Sequence, residues 1–181
     1  MAHPSGFSAI HVLTPAGNLY LQASPDGLRR CAFCNRPAAL PSTDLSSARP
    51  DSPLLKAAVD QLGEYFEGAC RSFSLALNLQ DLPPFQTRVL TACAAIPWGK
   101  VLSYAQLAFR IGAPGASRAV GAALAHNPLL LFIPCHRVIG SDGALRGFAA
   151  PDGIQTKAWL LQHEGLHIET GKVILQTGAN P

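Results

Sequence analysis

Cys135 is the residue of this chain best suited to covalent chemistry. It lies in Pro134-Cys135-His136-Arg137-Val138, which we call the cysteine turn, directly after the apolar run of residues 129–133. A buried, strand-like segment is therefore expected to end in a turn that carries a thiol. A thiol is a useful nucleophile only as its thiolate, and neighbouring positive charge favours that form. The imidazole and the guanidinium beside Cys135 predict an activated nucleophile.

A carboxylate further along the chain could complete the catalytic group. On the wheel of the helix predicted over residues 154–164, Glu164 falls between Leu160 and Leu161, on the core side. A buried carboxylate needs a partner, so Glu164 could orient His136, which would take the Cys135 proton through a water. The alternative is an exposed carboxylate at the end of the helix.

The other cysteines carry weaker signals. Cys31-Ala32-Phe33-Cys34 is a lone C-x-x-C, and a structural zinc site would need two more ligands, for which His3 and His11 are the candidates. The same alternation suits a strand, so we predict no metal site. Three thiols are expected to lie in the core: Cys31, Cys70 and Cys93.

The first half of the chain predicts a β-sheet. Alternating apolar residues predict strands over residues 8–13, 19–23 and 28–33, separated by turns such as Pro15-Ala16-Gly17-Asn18. Residues 72–79 predict a further strand.

A loop and a helix complete this half. Residues 37–53 are rich in Pro, Ser and Ala and predict a loop, and apolar spacing over residues 54–67 predicts a helix. The domains are expected at residues 1–80 and 85–170, with a linker over 81–84 and a tail over 171–181.

The second half predicts a helix-turn-helix. Ser103 and Gln106 have the spacing of a capping box, which would begin a helix that ends at Gly112. A second short helix is predicted over residues 116–125, and another helix over residues 85–95 precedes both. Two short helices around a tight glycine-containing turn form this motif, although many helical hairpins bind nothing.

The second of these helices carries what we call the small-residue face. Its members share helical spacing around one long side chain: Gly115, Arg118, Gly121, Ala122 and Ala125. A helix that reads the major groove normally presents several long polar side chains. Small residues allow a close backbone approach, which suits a narrow groove. Tight packing inside the protein is the alternative.

Composition indicates a folded chain with its basic residues near Cys135. The 181 residues are 48% hydrophobic and 14% charged, which excludes a disordered chain, and the longest apolar run is too short to span a membrane. Residues 82–151 hold six basic residues and one acidic residue, although the net charge is only +3. This bias suits a polyanionic partner or reflects chance clustering. Five cysteines without framework spacing and the absence of a signal peptide predict a reduced, cytoplasmic protein.

These motifs together resemble the O6-alkylguanine-DNA alkyltransferases, also called methylated-DNA–protein-cysteine methyltransferases. The resemblance covers about residues 85–166, and its most specific parts are the cysteine turn and Arg118-Ala119-Val120-Gly121. The other matching stretches follow the family's order: Phe85-Gln86, Ile96-Pro97-Trp98-Gly99-Lys100, Ser103-Tyr104, Gly112-Ala113-Pro114, Asn127-Pro128, and Leu160-Leu161 with Glu164-Gly165. The first half is similar only in outline, through Thr14-Pro15-Ala16-Gly17 and Gly27-Leu28.

The resemblance implies an α+β fold. A ribonuclease-H-like domain, a sheet plus a helix, would precede a mostly helical, winged-helix-like domain with the helix-turn-helix. It also implies DNA repair by direct reversal, in which an alkyl group such as methyl passes from O6 of guanine to Cys135. O4 of thymine is a second candidate atom. The thioether product resists hydrolysis, so each molecule would act once, without a cofactor.

The implied partner is double-stranded DNA bound through its minor groove, and no membrane. We expect a monomer that can bind cooperatively along DNA. Arg118 resembles the family's arginine finger, which fills the space of the extruded nucleotide. Tyr104 would crowd the adjacent phosphate and donate toward guanine N3. The resemblance implies further DNA contacts at Ala105, Gly121 and Ser141.

The implied base pocket follows the cysteine turn. The carbonyls of Cys135 and Val138 would accept from the exocyclic amine, the N–H of Ala149 would reach O6, and Asn127 would brace the turn. Phe148 stands where the family often has an aromatic residue with a hydroxyl, so it would wall the pocket without donating. Residues 149–153 also differ from the family's glycine-rich run.

Other functions remain open at this point. A helix-turn-helix regulator could use Cys135 as an alkylation or redox sensor. A non-catalytic DNA-binding relative would lack the acceptor cysteine. A cysteine hydrolase would need an oxyanion hole and would leave the helix-turn-helix unexplained.

Overall fold

The computed structural model describes residues 6–34, 43–44 and 52–174 and confirms the α+β fold. The strands are β1 (Ser8–Thr14), β2 (Gly17–Ser24), β3 (Gly27–Phe33), β4 (Thr43–Asp44), β5 (Leu102–Ser103), β6 (Val138–Ile139), β7 (Ile168–Glu169) and β8 (Lys172–Val173). The helices are α1 (Pro53–Phe66), α2 (Pro84–Ala94), α3 (Tyr104–Arg110), α4 (Ser117–Ala125) and α5 (Ile154–His163), with a 3₁₀ helix at Cys135–Arg137.

The N-terminal sheet has the strand order β3-β2-β1-β4. β1, β2 and β3 are antiparallel neighbours, and β4 runs parallel to β1. Helix α1 contacts β1, β2 and β3. Its buried residues recur every three or four positions, as a helix on a sheet requires: Leu55, Ala58, Val59, Leu62 and Tyr65. Most of the predicted loop over residues 37–53 lies outside the described residues.

The strand predicted over residues 72–79 is wrong. This segment forms one isolated parallel bridge, between Leu77 and Leu28, with hydrogen bonds from Leu28 N to Ala76 O and from Asn78 N to Leu28 O. The backbones approach so closely that a Cβ at Gly27 would lie 2.7 Å from Ala76 O. The apolar residues of segment 72–79 cover the edge of the core, but the segment does not extend the sheet.

The helix-turn-helix prediction is confirmed. Ser103 caps α3 through a complete capping box with Gln106, and Gly112 follows the helix with φ of 71°. Helix α4 packs on both α2 and α3. Strand β5, which leads into α3, pairs in parallel with β6, which leaves the cysteine turn. This pair ties the start of the helix-turn-helix to the cysteine turn.

The apolar run before Cys135 is not the expected strand. Leu131 has φ of 72°, and Ile133 N donates to Leu129 O at 2.8 Å, so the run folds back on itself. A left-handed conformation costs a branched residue about 1–2 kcal/mol. Burial offsets this cost, because Leu129, Leu131 and Ile133 are each at most 1% exposed.

One buried cluster joins the two halves of the chain. It includes Leu19 and Leu62 from the N-terminal half and Val89, Leu107 and Leu129 from the C-terminal half. A smaller cluster joins β6, α5 and β8 through Ile139, Leu161 and Val173. The β7–β8 hairpin spans the predicted boundary at residue 170. Within the described residues, no helix is long and apolar enough to cross a membrane.

Candidate active site

The cysteine turn is a buried 3₁₀ turn. Cys135 is 8% exposed and His136 is fully buried. Arg137 N donates to Pro134 O at 2.9 Å, which closes the turn. Asn127 braces it: its Nδ2 donates to Ile133 O at 2.9 Å. Helix α4 ends just before Asn127, so this amide links the helix-turn-helix to the turn that carries the thiol.

Glu164 lies at the centre of the polar network below the turn. Its carboxylate is buried and receives His136 Nε2 at 2.8 Å, and Arg137 Nε and Nη2 at 2.8 and 2.9 Å. The hydroxyl of Tyr65 donates to Oε1 at 2.9 Å, and Gly99 N lies 3.5 Å from Oε2. The position of Glu164 therefore matches the core-facing side predicted from the helical wheel.

These contacts fix the protonation of Glu164 and His136. Burial opposes ionisation of Glu164, but the hydrogen bonds and charges of His136 and Arg137 lower its pKa to about 2. Burial lowers the pKa of His136, against the opposite effect of Glu164. An ionised carboxylate only accepts, so neutral His136 donates from Nε2 and carries its lone pair at Nδ1. Among the described residues, Nδ1 of His136 is the buried side-chain polar atom without a hydrogen-bond partner.

Burial has the largest effect on the ionisation of Cys135. Burial raises the pKa of Cys135, although the hydrogen bond with Asn127 and the charge of Lys157 act against it. The guanidinium of Arg137 is bonded to Glu164 instead. The resting residue is therefore a thiol, and its reaction requires a base.

Lys157 is a site residue that the sequence analysis missed. It is 1% exposed, and its Nζ donates to Val138 O at 2.6 Å and to Arg146 O at 3.0 Å. Burial lowers its pKa to about 8. Its sequence position carried a signal, because Lys157 precedes Leu160, Leu161 and Glu164 by three, four and seven residues, on the buried face of α5.

The small-residue face of α4 is largely exposed. Arg118, Ala122 and Ala125 are exposed, so tight packing inside the protein does not explain this composition. The ring of Tyr104, at the start of α3, lies against α4, 3.8 Å from where a Cβ at Gly121 would be. Within the described part of the chain, Arg118 forms no hydrogen bond or ion pair. Ala105 is exposed one residue after Tyr104.

The remaining predicted residues differ in exposure. The ring of Phe148 meets the ring of His136 edge-on, with centroids 6.3 Å apart, and that of Phe33 at 6.1 Å. Val138 is buried, whereas Ser141 and Ala149 are exposed.

The N-terminal cysteines form no metal centre among the described residues. Cys31 is buried in β3, and burial raises its pKa strongly. Cys34 Sγ lies 3.6 Å from His11 Nδ1, and His3 lies outside the described residues. No described group of three His, Cys, Asp or Glu side chains could hold an ion.

Two family models match the chain, one for each half. Residues 12–79 match the ribonuclease-like domain of the 6-O-methylguanine DNA methyltransferases, and residues 84–166 match the DNA-binding domain of the same family. The two matches agree with the sheet-and-helix half and the helix-turn-helix half described above.

Curated relatives carry the name methylated-DNA–protein-cysteine methyltransferase. The Salmonella typhimurium protein is 48% identical over 106 residues, which span 59% of this chain and 61% of that protein. The constitutive Bacillus subtilis protein is 40% identical over 152 residues, or 83% of this chain and 91% of that one.

A solved structure extends the similarity to three dimensions. The crystal structure of Mycobacterium tuberculosis OGT in complex with DNA matches with a TM-score of 0.73 at 38% identity, covering 87% of this chain and 92% of that one. Since both halves match the family's domains and the relatives match over most of the chain, this protein belongs to the 6-O-methylguanine DNA methyltransferase family.

Proposed function

We propose that this protein repairs DNA by moving an alkyl group from O6 of guanine in duplex DNA to Cys135, once per molecule. The observation that carries the proposal is the imidazole of His136, adjacent in sequence to Cys135, fixed by Glu164 at 2.8 Å and with Nδ1 unpartnered. The proposal is supported by the name of its relatives, which describes methyl transfer from methylated DNA to a protein cysteine.

The first step is proton transfer. The thiol proton of Cys135 passes, through a water, to Nδ1 of His136, and the imidazolium is stabilised by Glu164. The raised pKa of Cys135 makes this step necessary. Lys157 adds a positive charge that favours the thiolate as it forms.

The second step is a single displacement at the alkyl carbon. The Cys135 sulfur forms a bond to that carbon while the carbon–O6 bond breaks, and the leaving guanine recovers a proton that His136 can return. The thioether has no acidic proton and no good leaving group. Each molecule is therefore consumed, and no cofactor takes part.

The helix-turn-helix presents the substrate. The buried thiol cannot reach a base inside the duplex, so the nucleotide must leave the stack. The exposed small-residue face would let α4 approach the minor groove, and Arg118 would fill the vacated space. Tyr104 would rotate the adjacent phosphate and donate toward guanine N3, and Ala105, Gly121 and Ser141 would contact the backbone of the DNA. The matching Mycobacterium tuberculosis protein was solved with DNA.

The extruded base would enter beside Phe148. The Cys135 and Val138 carbonyls would accept from its exocyclic amine, and Ala149 N–H would reach O6. The carbonyl oxygen of Val138 already receives Lys157 and has a second acceptor position. Asn127 would keep the turn in place. O4 of thymine has similar chemistry and is a second candidate.

The expected setting is the cytoplasm, where reducing conditions keep thiols free. Cys31, Cys70, Cys93 and Cys135 are free thiols in the structure. We expect a monomer whose binding along DNA can be cooperative.

The test is a stoichiometric one. Incubation with duplex DNA carrying O6-methylguanine, followed by intact mass and a peptide map, should show one methyl group on the Cys135 peptide per lesion lost. Cys34→Ala should match the wild type, and Cys135→Ala should lose transfer but still bind the duplex. Multiple turnovers or methylation elsewhere would contradict the proposal. Alkylation of Cys135 by free reagents only, with the lesion intact, would instead support the sensor function.

A further inference from the structure

We propose that Tyr65, in helix α1 of the N-terminal half, is a positioning residue for alkyl transfer, because its hydroxyl fixes the carboxylate that holds His136. The hydroxyl donates to Glu164 Oε1 at 2.9 Å, and the same oxygen receives His136 Nε2 at 2.8 Å. The N-terminal half thereby reaches the catalytic group directly. This inference rests on the proposed function only for its effect on rate.

The ring of Tyr65 is held rigidly. Tyr65 is 1% exposed. Its ring packs edge-to-face with the rings of Trp98 and Phe66, and each pair of ring centroids is 5.1 Å apart. The ring of His163 lies 5.3 Å away, and its Nε2 donates to Tyr65 O at 2.8 Å. These contacts hold the ring in the position from which its hydroxyl donates to Glu164.

The chemical role follows from what each group can donate. Burial, and then the charge of Glu164, raise the pKa of Tyr65, so its hydroxyl keeps its proton and acts as a donor. Oε1 then accepts from Tyr65, His136 and Arg137, which spreads the carboxylate charge over three donors. A carboxylate with its acceptor positions filled cannot rotate, and it holds the imidazole with Nδ1 free.

The charges around His136 decide whether loss of the Tyr65 hydroxyl raises or lowers the pKa of the imidazole. The charged groups that act on His136 are Glu164, Arg137 and Lys157, and the Cys135 thiol is adjacent in sequence. Removing the Tyr65 donor concentrates negative charge on Oε1. The imidazolium is then better stabilised, so the pKa of His136 rises, and the carboxylate loses one of its restraints.

The experiment is Tyr65→Phe in the full chain, with two controls. Phe73→Leu weakens the same aromatic cluster, since its ring lies 5.5 Å from Tyr65, and does not contact Glu164. Tyr20→Phe removes a hydroxyl in β2. The pKa of His136 is followed by NMR with ¹⁵N-labelled histidine, which needs no alkyl transfer. Single-turnover reaction with free O6-benzylguanine is measured across pH.

We expect Tyr65→Phe to raise the pKa of His136 by about half a unit, to move the acid limb of the rate profile the same way, and to slow transfer roughly three- to tenfold. Both controls should leave the pKa unchanged. An unchanged pKa and rate in Tyr65→Phe, with lowered stability alone, would overturn the inference.

A second variant covers the case in which Tyr65→Phe does not fold. Replacing Tyr65 with 3-fluorotyrosine keeps the ring and strengthens the donor, so the pKa of His136 should fall. A rise or no change would overturn the inference. Absence of transfer in the wild-type protein would instead refute the proposed function and leave the NMR result standing.

Discussion

Around Cys135 the polar side chains are buried and bonded to one another, whereas on α4 Arg118 stands exposed on a face of small residues. Buried groups in a low-dielectric site are held at fixed positions and protonation states, as a proton transfer and an in-line displacement require. Helix α4 instead presents an exposed surface of small residues and one exposed guanidinium, that of Arg118. Under the proposed function, chemistry and substrate presentation would depend on separate sets of residues, joined through Asn127 and the β5–β6 pair.

The largest effect is expected from Glu164→Gln, in the buried region. It removes the negative charge that would stabilise the His136 imidazolium, replaces one acceptor oxygen by an NH2 donor and leaves Arg137 without its ion-pair partner, which costs about 3–5 kcal/mol for a buried pair. Loss of general-base catalysis should slow transfer at least about 100-fold. Single-turnover rates with free O6-benzylguanine and urea unfolding measure the two effects. The exposed Glu169→Gln is the control, and equal behaviour of the two variants would contradict the role of Glu164.

Stability should fall in acid because of the same group. The pKa of Glu164 is about 2 in the folded state and 4.5 as a free side chain, so the unfolded state binds more protons between these values. Its contribution is complete above pH 4.5 and is lost as pH falls toward 2, on the order of 3 kcal/mol. Urea unfolding from pH 6 to 2 should show this slope in Glu169→Gln but not in Glu164→Gln. If Glu164→Gln kept the same fall in stability with pH, a group other than Glu164 would be its cause.

Lys157→Met should have an intermediate effect. The charge of Lys157 lowers the pKa of Cys135, so its removal should raise that pKa and slow transfer about tenfold at pH 7. The carbonyls of Val138 and Arg146 also lose their donor. The rate profile with O6-benzylguanine checks this, with exposed Lys172→Met as the control. A wild-type rate would show that Lys157 is only structural.

Gly121→Ala should have the smallest effect. It should change only reactions that depend on the exposed face of α4, and not those that depend on the buried site around Cys135. Its Cβ would lie 3.8 Å from Tyr104 Cε1, an ordinary contact, and alanine in a helix interior gains about 1 kcal/mol over glycine. Stability should therefore rise. If α4 must approach DNA closely, repair of duplex should slow a few-fold while reaction with free O6-benzylguanine is unchanged. Unchanged duplex repair would refute the close approach.

The sequence predicted local features well. The capping box at Ser103, the two helices around the turn and the core-facing position of Glu164 follow from spacing within one or two turns of helix. Helical periodicity also places Lys157 on the buried face of α5, but lysine is rarely buried, so the residue type argued against a site residue at this position.

Features that depend on distant contacts could not be predicted. Residues 129–133 have strand composition, yet Leu131 adopts a left-handed conformation because the surrounding core fixes it. Tyr65 lies 99 residues before Glu164, and no local pattern links a helix of the first half to the active site. The ion pair of Arg137 with Glu164 is another such contact, because the two residues lie 27 positions apart.

The most direct test of this division is Arg118→Ala on two substrates. Single-turnover rates with duplex O6-methylguanine and with free O6-benzylguanine are compared with those of Glu164→Gln. We predict that Arg118→Ala slows the duplex reaction much more than the free-base reaction, whereas Glu164→Gln slows both alike. Equal losses on both substrates in Arg118→Ala would contradict the account.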